Sequence, residues 1–231
     1  MEIYGFQKTT LLDYPEHVAA TVFTGGCNFR CPFCHNSLLV LEPKAQPRIR
    51  EDEVIAYLEK RRGVLEGVCV TGGEPTLQKD LSEFLGKLKS MGYLVKLDTN
   101  GSRPQVLRNL LEAGLLDYVA MDIKASWDNY GLAVGVQNFD PAPIRESMEL
   151  LKNSQIPYEY RTTVVKGIHT LSEFEEIGRM LKGCPAYYLQ CFREGENMIG
   201  EGFAAFSKEE MEKMAALAGE YADQVKLRGV E

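Results

Sequence analysis

Three of the six cysteines sit in one short stretch, Gly25-Gly26-Cys27-Asn28-Phe29-Arg30-Cys31-Pro32-Phe33-Cys34-His35-Asn36, with three and then two residues between them. Thiolates at this spacing can wrap one iron–sulfur cluster, while the flanking glycines let the backbone turn tightly. Cys27, Cys31 and Cys34 would leave the fourth iron of a [4Fe–4S] cluster without a protein ligand. Such an open position is where chemistry takes place, as at a catalytic zinc. Two plainer arrangements stay open on the same residues. A structural zinc would need His35 as fourth ligand, yet His35 adjoins Cys34, which strains tetrahedral closure, and no second cysteine pair follows at zinc-ribbon spacing. A simple electron-transfer cluster would need a distant fourth cysteine. Cys69 lies mid-strand and reads as core packing, and Cys184 and Cys191 are too scattered to suggest a second cluster.

Other chemically capable residues come in short tracts further along. Gly72-Gly73-Glu74-Pro75 combines glycines that permit close backbone approach with an acid that can pair with an amine; a plain strand-to-helix turn would use the same glycines. Asp98-Thr99-Asn100-Gly101 and Met121-Asp122-Ile123-Lys124 each carry an acid. If two carboxylates converge they repel unless a cation or proton intervenes, whereas helix N-capping is the ordinary use of Asp or Asn there. Lys124 could hold a ligand carboxylate, and Arg161 could do so bidentately, or either could be a surface cation. No serine–histidine pair, catalytic thiol or phosphate loop competes with these tracts.

The elements that must position them alternate. Short runs rich in Val, Leu and Tyr predict strands at Val18–Thr24, Gly67–Thr71, Tyr93–Asp98, Asp117–Asp122, Tyr158–Val165 and Ala186–Cys191. Helices are predicted between them. Asp80 with Glu83 opens one and Gly92 closes it; Ser102 and Pro104 open another that ends at Gly114; Thr170 with Glu173 and Ser207 with Glu210 fit the capping box. Leu81, Phe84, Leu85 and Leu88 share one helical face, as do Val106, Leu107, Leu110 and Leu111. Six β/α units imply a parallel α/β sheet, either an incomplete (β/α)6 barrel or an open doubly wound sheet. Both put the active site at the C-terminal strand ends, where every tract above falls. Residues 1–231 are expected to form one domain.

The net charge of −7 gives no overall pull toward nucleic acid or anionic lipid, so neither is expected as a partner. Neither a secretory signal nor an apolar run of membrane-spanning length is visible, and a cytoplasmic location is the expectation.

Cys-x3-Cys-x2-Cys with Phe33 before the last cysteine, followed by Gly72-Gly73-Glu74, resembles the radical S-adenosylmethionine enzymes. Leu12-Asp13-Tyr14-Pro15 and Cys34-His35-Asn36 narrow the resemblance to the glycyl-radical-enzyme activating family, and within it to the activators of anaerobic ribonucleoside-triphosphate reductase. The resemblance implies a [4Fe–4S] cluster and S-adenosylmethionine, which is cleaved reductively to a 5′-deoxyadenosyl radical that installs a glycyl radical on the partner. It implies flavodoxin or ferredoxin as electron donor. It implies that Gly72, Gly73 and Glu74 receive the methionine ammonium, and that Asp98, Thr99 and Asp122 hold a monovalent cation near the cofactor carboxylate. Phe33, His35, Asn100, Lys124 and Arg161 join the expected cofactor-binding set. The family often has glycine where this chain has Glu16, which bears on the role of Asp13. A pyruvate formate-lyase type partner, a small-molecule substrate, or plain electron carriage are the alternatives.

Overall fold

In the computed structural model, residues 1–195 and 198–230 are described. The strands are β1 (Ile3–Thr10), β2 (Ala19–Thr24), β3 (Gly67–Gly72), β4 (Leu94–Thr99), β5 (Tyr118–Asp122), β6 (Tyr158–Val164), β7 (Tyr187–Cys191) and β8 (Val225–Arg228). The helices are α1 (Ser37–Leu41), α2 (Glu51–Glu59), α3 (Leu81–Ser90), α4 (Pro104–Glu112), α5 (Trp127–Val134), α6 (Ala142–Lys152), α7 (Glu173–Met180) and α8 (Lys208–Ala218). Strand order in the sheet follows chain order from β1 to β8. β1 runs antiparallel to β2, and β2–β3, β3–β4, β6–β7 and β7–β8 are parallel. The parallel α/β class and the six expected strands are therefore present as β2 to β7.

Sequence reading missed β1 and β8 for a physical reason. Edge strands need not bury both faces, so the continuous apolar signal fades. β1 breaks register at two places, and β8 has four residues with no fully buried side chain.

The chain divides into two compact units. The first comprises Met1–Asn28, Asn36–Ala120 and Pro143–Pro157; the second comprises Phe29–His35, Met121–Ala142 and the chain from Tyr158 onward. In the first unit, Ala19, Ala20, Val22, Val68, Val70, Val95 and Leu97 are fully buried strand residues. Against them α3 buries the expected face of Leu81, Phe84, Leu85 and Leu88, while α4 buries Leu107 and Leu110 with Val106 and Leu111 at the flanks. The second unit has its own core, drawn from Tyr130, Val164, Phe174, Ile177, Leu189, Phe192, Met211 and Met214.

Local signals fared unevenly. The Ser207–Glu210 capping box forms on α8. Asp80 stands at the N-cap position of α3 as expected, but its side chain makes no capping hydrogen bond; its carboxylate pairs with the Met1 ammonium at 2.5 Å. The expected Thr170–Glu173 box is also absent, because Glu173 accepts hydrogen bonds from Ser126 and Asn129 instead. Glu16 has φ +66°, the left-handed region that favours glycine, so its side chain stands where the backbone suits Gly. Asp13 is occupied nearby, accepting from Thr21 Oγ1 at 2.5 Å. No described helix is long and apolar enough to cross a membrane.

Candidate functional site

In the first unit, the loops that follow β2 and β3 are knitted together by backbone. Gly26, at φ +83°, donates its N–H to Leu39 at 2.7 Å and accepts from Glu74 N at 2.8 Å. Gly73 donates to Thr24 O at 2.9 Å. A Cβ on Gly73 would stand 1.9 Å from Gly26 O, and one on Gly72 would stand 2.3 Å from Thr24 backbone atoms, with φ +122° at Gly72. The paired glycines are thus required by packing of one loop on another, whatever ligand they meet. Asn36 Nδ2 donates to Gly72 O at 3.0 Å, adding a third tie. Gly73→Ala is expected to destabilise the protein by about 1–3 kcal/mol, since backbone rather than a flexible side chain must yield. A chemical denaturation midpoint at the wild-type value would show that this contact relaxes freely.

Glu74 is completely buried. Its Oε1 accepts from Thr76 N at 3.1 Å, Thr76 Oγ1 at 2.5 Å and Thr99 Oγ1 at 2.8 Å, and its Oε2 accepts from Asn100 N at 2.7 Å. Burial pushes the carboxyl up from its ordinary range, and the donors offset part of that. Glu74, which the resemblance expects to receive an ammonium, ties the end of β3 to the end of β4. The amide of Asn100 donates to Asn28 Oδ1 at 3.1 Å and approaches Cys27 Sγ at 3.8 Å. Asn100 is not a helix cap, since α4 begins at Pro104 after Arg103. Asp98 pairs with Lys96, a lysine that is almost wholly buried in β4 and lies 3.8 Å from Cys69 Sγ.

In the second unit, Asp122 ends β5 between two cations. Lys124 Nζ lies 3.0 Å from Oδ2, and Arg161 Nε and Nη2 each lie 3.0 Å from Oδ1. Burial works against the Lys124 charge, but Asp122 and the thiols of Cys31 and Cys34 outweigh it and hold the ammonium above the ordinary lysine range. The sequence suggested that two acids would need an intervening cation. Each acid has a cationic side chain of its own unit beside it. Phe33 is buried, packing edge-on against His169 and Phe203; the exposed His35 lies 5.6 Å from the Phe192 ring. Arg30 N donates to Val134 O at 2.8 Å, and Pro32 O accepts from Gly200 N at 2.8 Å, which fixes the cysteine stretch by its backbone.

Two supporting residues escaped the sequence reading. His169, in the loop between β6 and α7, is buried: its Nδ1 accepts from Val165 N at 3.1 Å, so Nε2 carries the proton and donates to Lys124 O at 2.8 Å. Burial pushes this imidazole down, in keeping with the neutral tautomer. Lys96 was also missed, although a lysine inside the apolar run Leu94-Val95-Lys96-Leu97 is a visible anomaly.

The residues suit an iron–sulfur cluster. Cys27, Cys31 and Cys34 are not joined in disulfides. An amide N–H faces Cys27, and the Lys124 charge acts on Cys31 and Cys34. Donors and cations near sulfur favour thiolate, the form that binds metal. Among the described residues no three His, Cys, Asp or Glu side chains gather as ligands of one ion. A four-iron cluster makes a different demand, since each cysteine binds its own iron.

Residues 21–181 match the family described as the radical SAM superfamily. A Methanocaldococcus jannaschii protein named, by inference, a glycyl-radical enzyme activating enzyme is 32% identical over 99% of this chain and 96% of its own. Streptococcus suis SuiB bound to S-adenosylmethionine superposes with a TM-score of 0.69 at 11% identity, covering 88% of this chain and 48% of that one. SuiB bound to its precursor peptide SuiA gives 0.71 at 12% identity, covering 90% and 48%. This chain thus spans about half the length of SuiB, and that likeness concerns the fold.

Proposed function

The chain belongs to the radical SAM superfamily, and we propose that its reaction is the activation of a glycyl-radical enzyme, with anaerobic ribonucleoside-triphosphate reductase as partner. The observation that carries this reading is the near full-length similarity to a protein named as such an activating enzyme. The family match runs through both compact units, which supports treating residues 1–231 as one functional domain. Cys27, Cys31 and Cys34 would hold the cluster. A cluster held by these cysteines would, together with S-adenosylmethionine, offer one-electron reductive cleavage and the carbon-radical chemistry that takes hydrogen from glycine.

The chain's own residues bind and orient. The backbone at Gly72 and Gly73, held by its packing on Thr24 and Gly26, would meet the methionine ammonium. Glu74 would act one step back, holding Thr99 and Asn100 in place. Arg161 and Lys124, gathered on Asp122, would offer donors to the methionine carboxylate. Phe33 and the ties from Val134 and Gly200 would keep the cysteine stretch packed, and His35 would flank the cofactor. A flavodoxin or ferredoxin would supply electrons.

The test uses anaerobically reconstituted, reduced protein with S-adenosylmethionine, mixed in turn with the reductase and a pyruvate formate-lyase type enzyme. The expected result is a glycyl doublet in electron paramagnetic resonance that loses its hydrogen splitting when glycine is deuterated at the α carbon. Cofactor cleavage without a doublet on either partner would refute the activating role and leave the superfamily assignment standing. Sodium and potassium forms compared in the same assay decide whether Asp98, Thr99 and Asp122 use a monovalent ion.

A further inference from the structure

We propose that Asn100 is a positioning residue for the cluster itself, its side-chain amide donating a hydrogen bond to the Cys27 thiolate and thereby raising the reduction potential. This rests on the reading that Cys27 is a cluster ligand. Asn100 is 5% exposed, and its Nδ2 lies 3.8 Å from Cys27 Sγ, a separation suited to a donor on sulfur.

The orientation of the amide follows from its surroundings. Ser102 N donates to Asn100 Oδ1 at 2.9 Å, so that atom must be the carbonyl oxygen and the other end of the amide must be the donor. The donor end serves Asn28 Oδ1 at 3.1 Å as well as the sulfur. Asn28 Nδ2 in turn donates to Ser102 Oγ at 2.8 Å, closing a ring of three residues. Beneath the ring, Asn100 N is anchored on the buried Glu74 carboxylate at 2.7 Å. The amide is therefore held from both its backbone and its oxygen, and its hydrogens are aimed.

An N–H directed at a cluster thiolate draws electron density from sulfur and stabilises the more negative, reduced state. Removing it should make reduction harder without removing a ligand. The strand-end asparagine would then set how readily the cluster accepts its electron, whereas cofactor affinity would depend on other groups.

The experiment is a redox titration of the anaerobically reconstituted holoprotein, followed by electron paramagnetic resonance without S-adenosylmethionine. For Asn100→Ala the expected result is at least a tenfold fall in the equilibrium constant for one-electron reduction, equivalent to 59 mV, with iron content unchanged. Asn100→Asp keeps the acceptor for Ser102 N and the side-chain size, so it serves if the alanine variant folds poorly; it should shift the same way. Ser102→Ala removes the Asn28 acceptor but leaves the amide on sulfur, and its potential should stay at the wild-type value. An unchanged potential in either folded Asn100 variant overturns the proposal. So does an equal shift in Ser102→Ala, because general loosening of the loop would then be responsible. Wild-type protein that takes up no iron would refute the cluster reading first, and is distinguished by iron analysis before any potential is measured.

Discussion

Replacing any one of Cys27, Cys31 and Cys34 by alanine is expected to reduce iron, after anaerobic reconstitution, from about four atoms per chain to near zero, with S-adenosylmethionine cleavage falling to background. Each cysteine supplies one of only three protein ligands, so a single loss leaves two irons without one. Replacing Cys184 and Cys191 together should leave the iron in place. Cys184 is buried, and burial pushes its thiol up to about 12, a poor starting point for a metal-binding thiolate. Cys191 is engaged with the Phe192 carbonyl at the end of β7. Iron analysis and the visible absorption of the cluster read the result. Iron retained by a Cys27, Cys31 or Cys34 variant would refute the ligand assignment. Iron near twice the expected amount, halved by loss of Cys184 and Cys191, would establish a second cluster.

The second large effect is expected at Glu74. Glu74→Ala removes the acceptor shared by Thr76 N, Thr76 Oγ1, Thr99 Oγ1 and Asn100 N in a site with no access to water. The hydroxyls can turn elsewhere, but the two backbone N–H groups cannot. Leaving buried donors unmet beside a new cavity should destabilise the protein by about 3–5 kcal/mol. Glu74→Gln keeps one acceptor oxygen and should lose less, about 1–2 kcal/mol. Equilibrium denaturation measures both. The opposite pattern is equally informative. A Glu74→Ala protein of wild-type stability that no longer binds S-adenosylmethionine would return this carboxylate to the direct role of meeting the ammonium.

Much of the site was legible along the chain because its parts are local. The cysteine spacing is written in eight residues, and the glycines at 72 and 73 are next to one another. The alternation of short apolar strands with capped, amphipathic helices placed all the tracts at strand C-termini, and β2 to β7 follow that alternation. The true capping box at Ser207 was readable for the same reason, its two residues being one helical turn apart. Thr170 and Glu173 have the same spacing, yet their box does not form. Ser126 and Asn129, more than forty residues earlier in the chain, offer Glu173 buried donors, and an acid that is taken out of water settles on the donors it is buried against.

That competition marks the division for the whole protein. The sequence by itself determined the candidate donor set for a cluster, the superfamily resemblance and the parallel α/β class, since these depend on spacing and periodicity. Tertiary structure alone decided how each charged group is matched: Asp98 with Lys96, Asp122 with Lys124 and Arg161, and Glu74 with Thr76, Thr99 and Asn100. Arg161 reaches Asp122 from the neighbouring stretch of strand β6, 39 residues on, and Asn100 reaches Cys27 across 73 residues. Hydrogen bonds and ion pairs act over about 3 Å, so partners are chosen by which strand ends the fold brings side by side, and residue type alone cannot rank them.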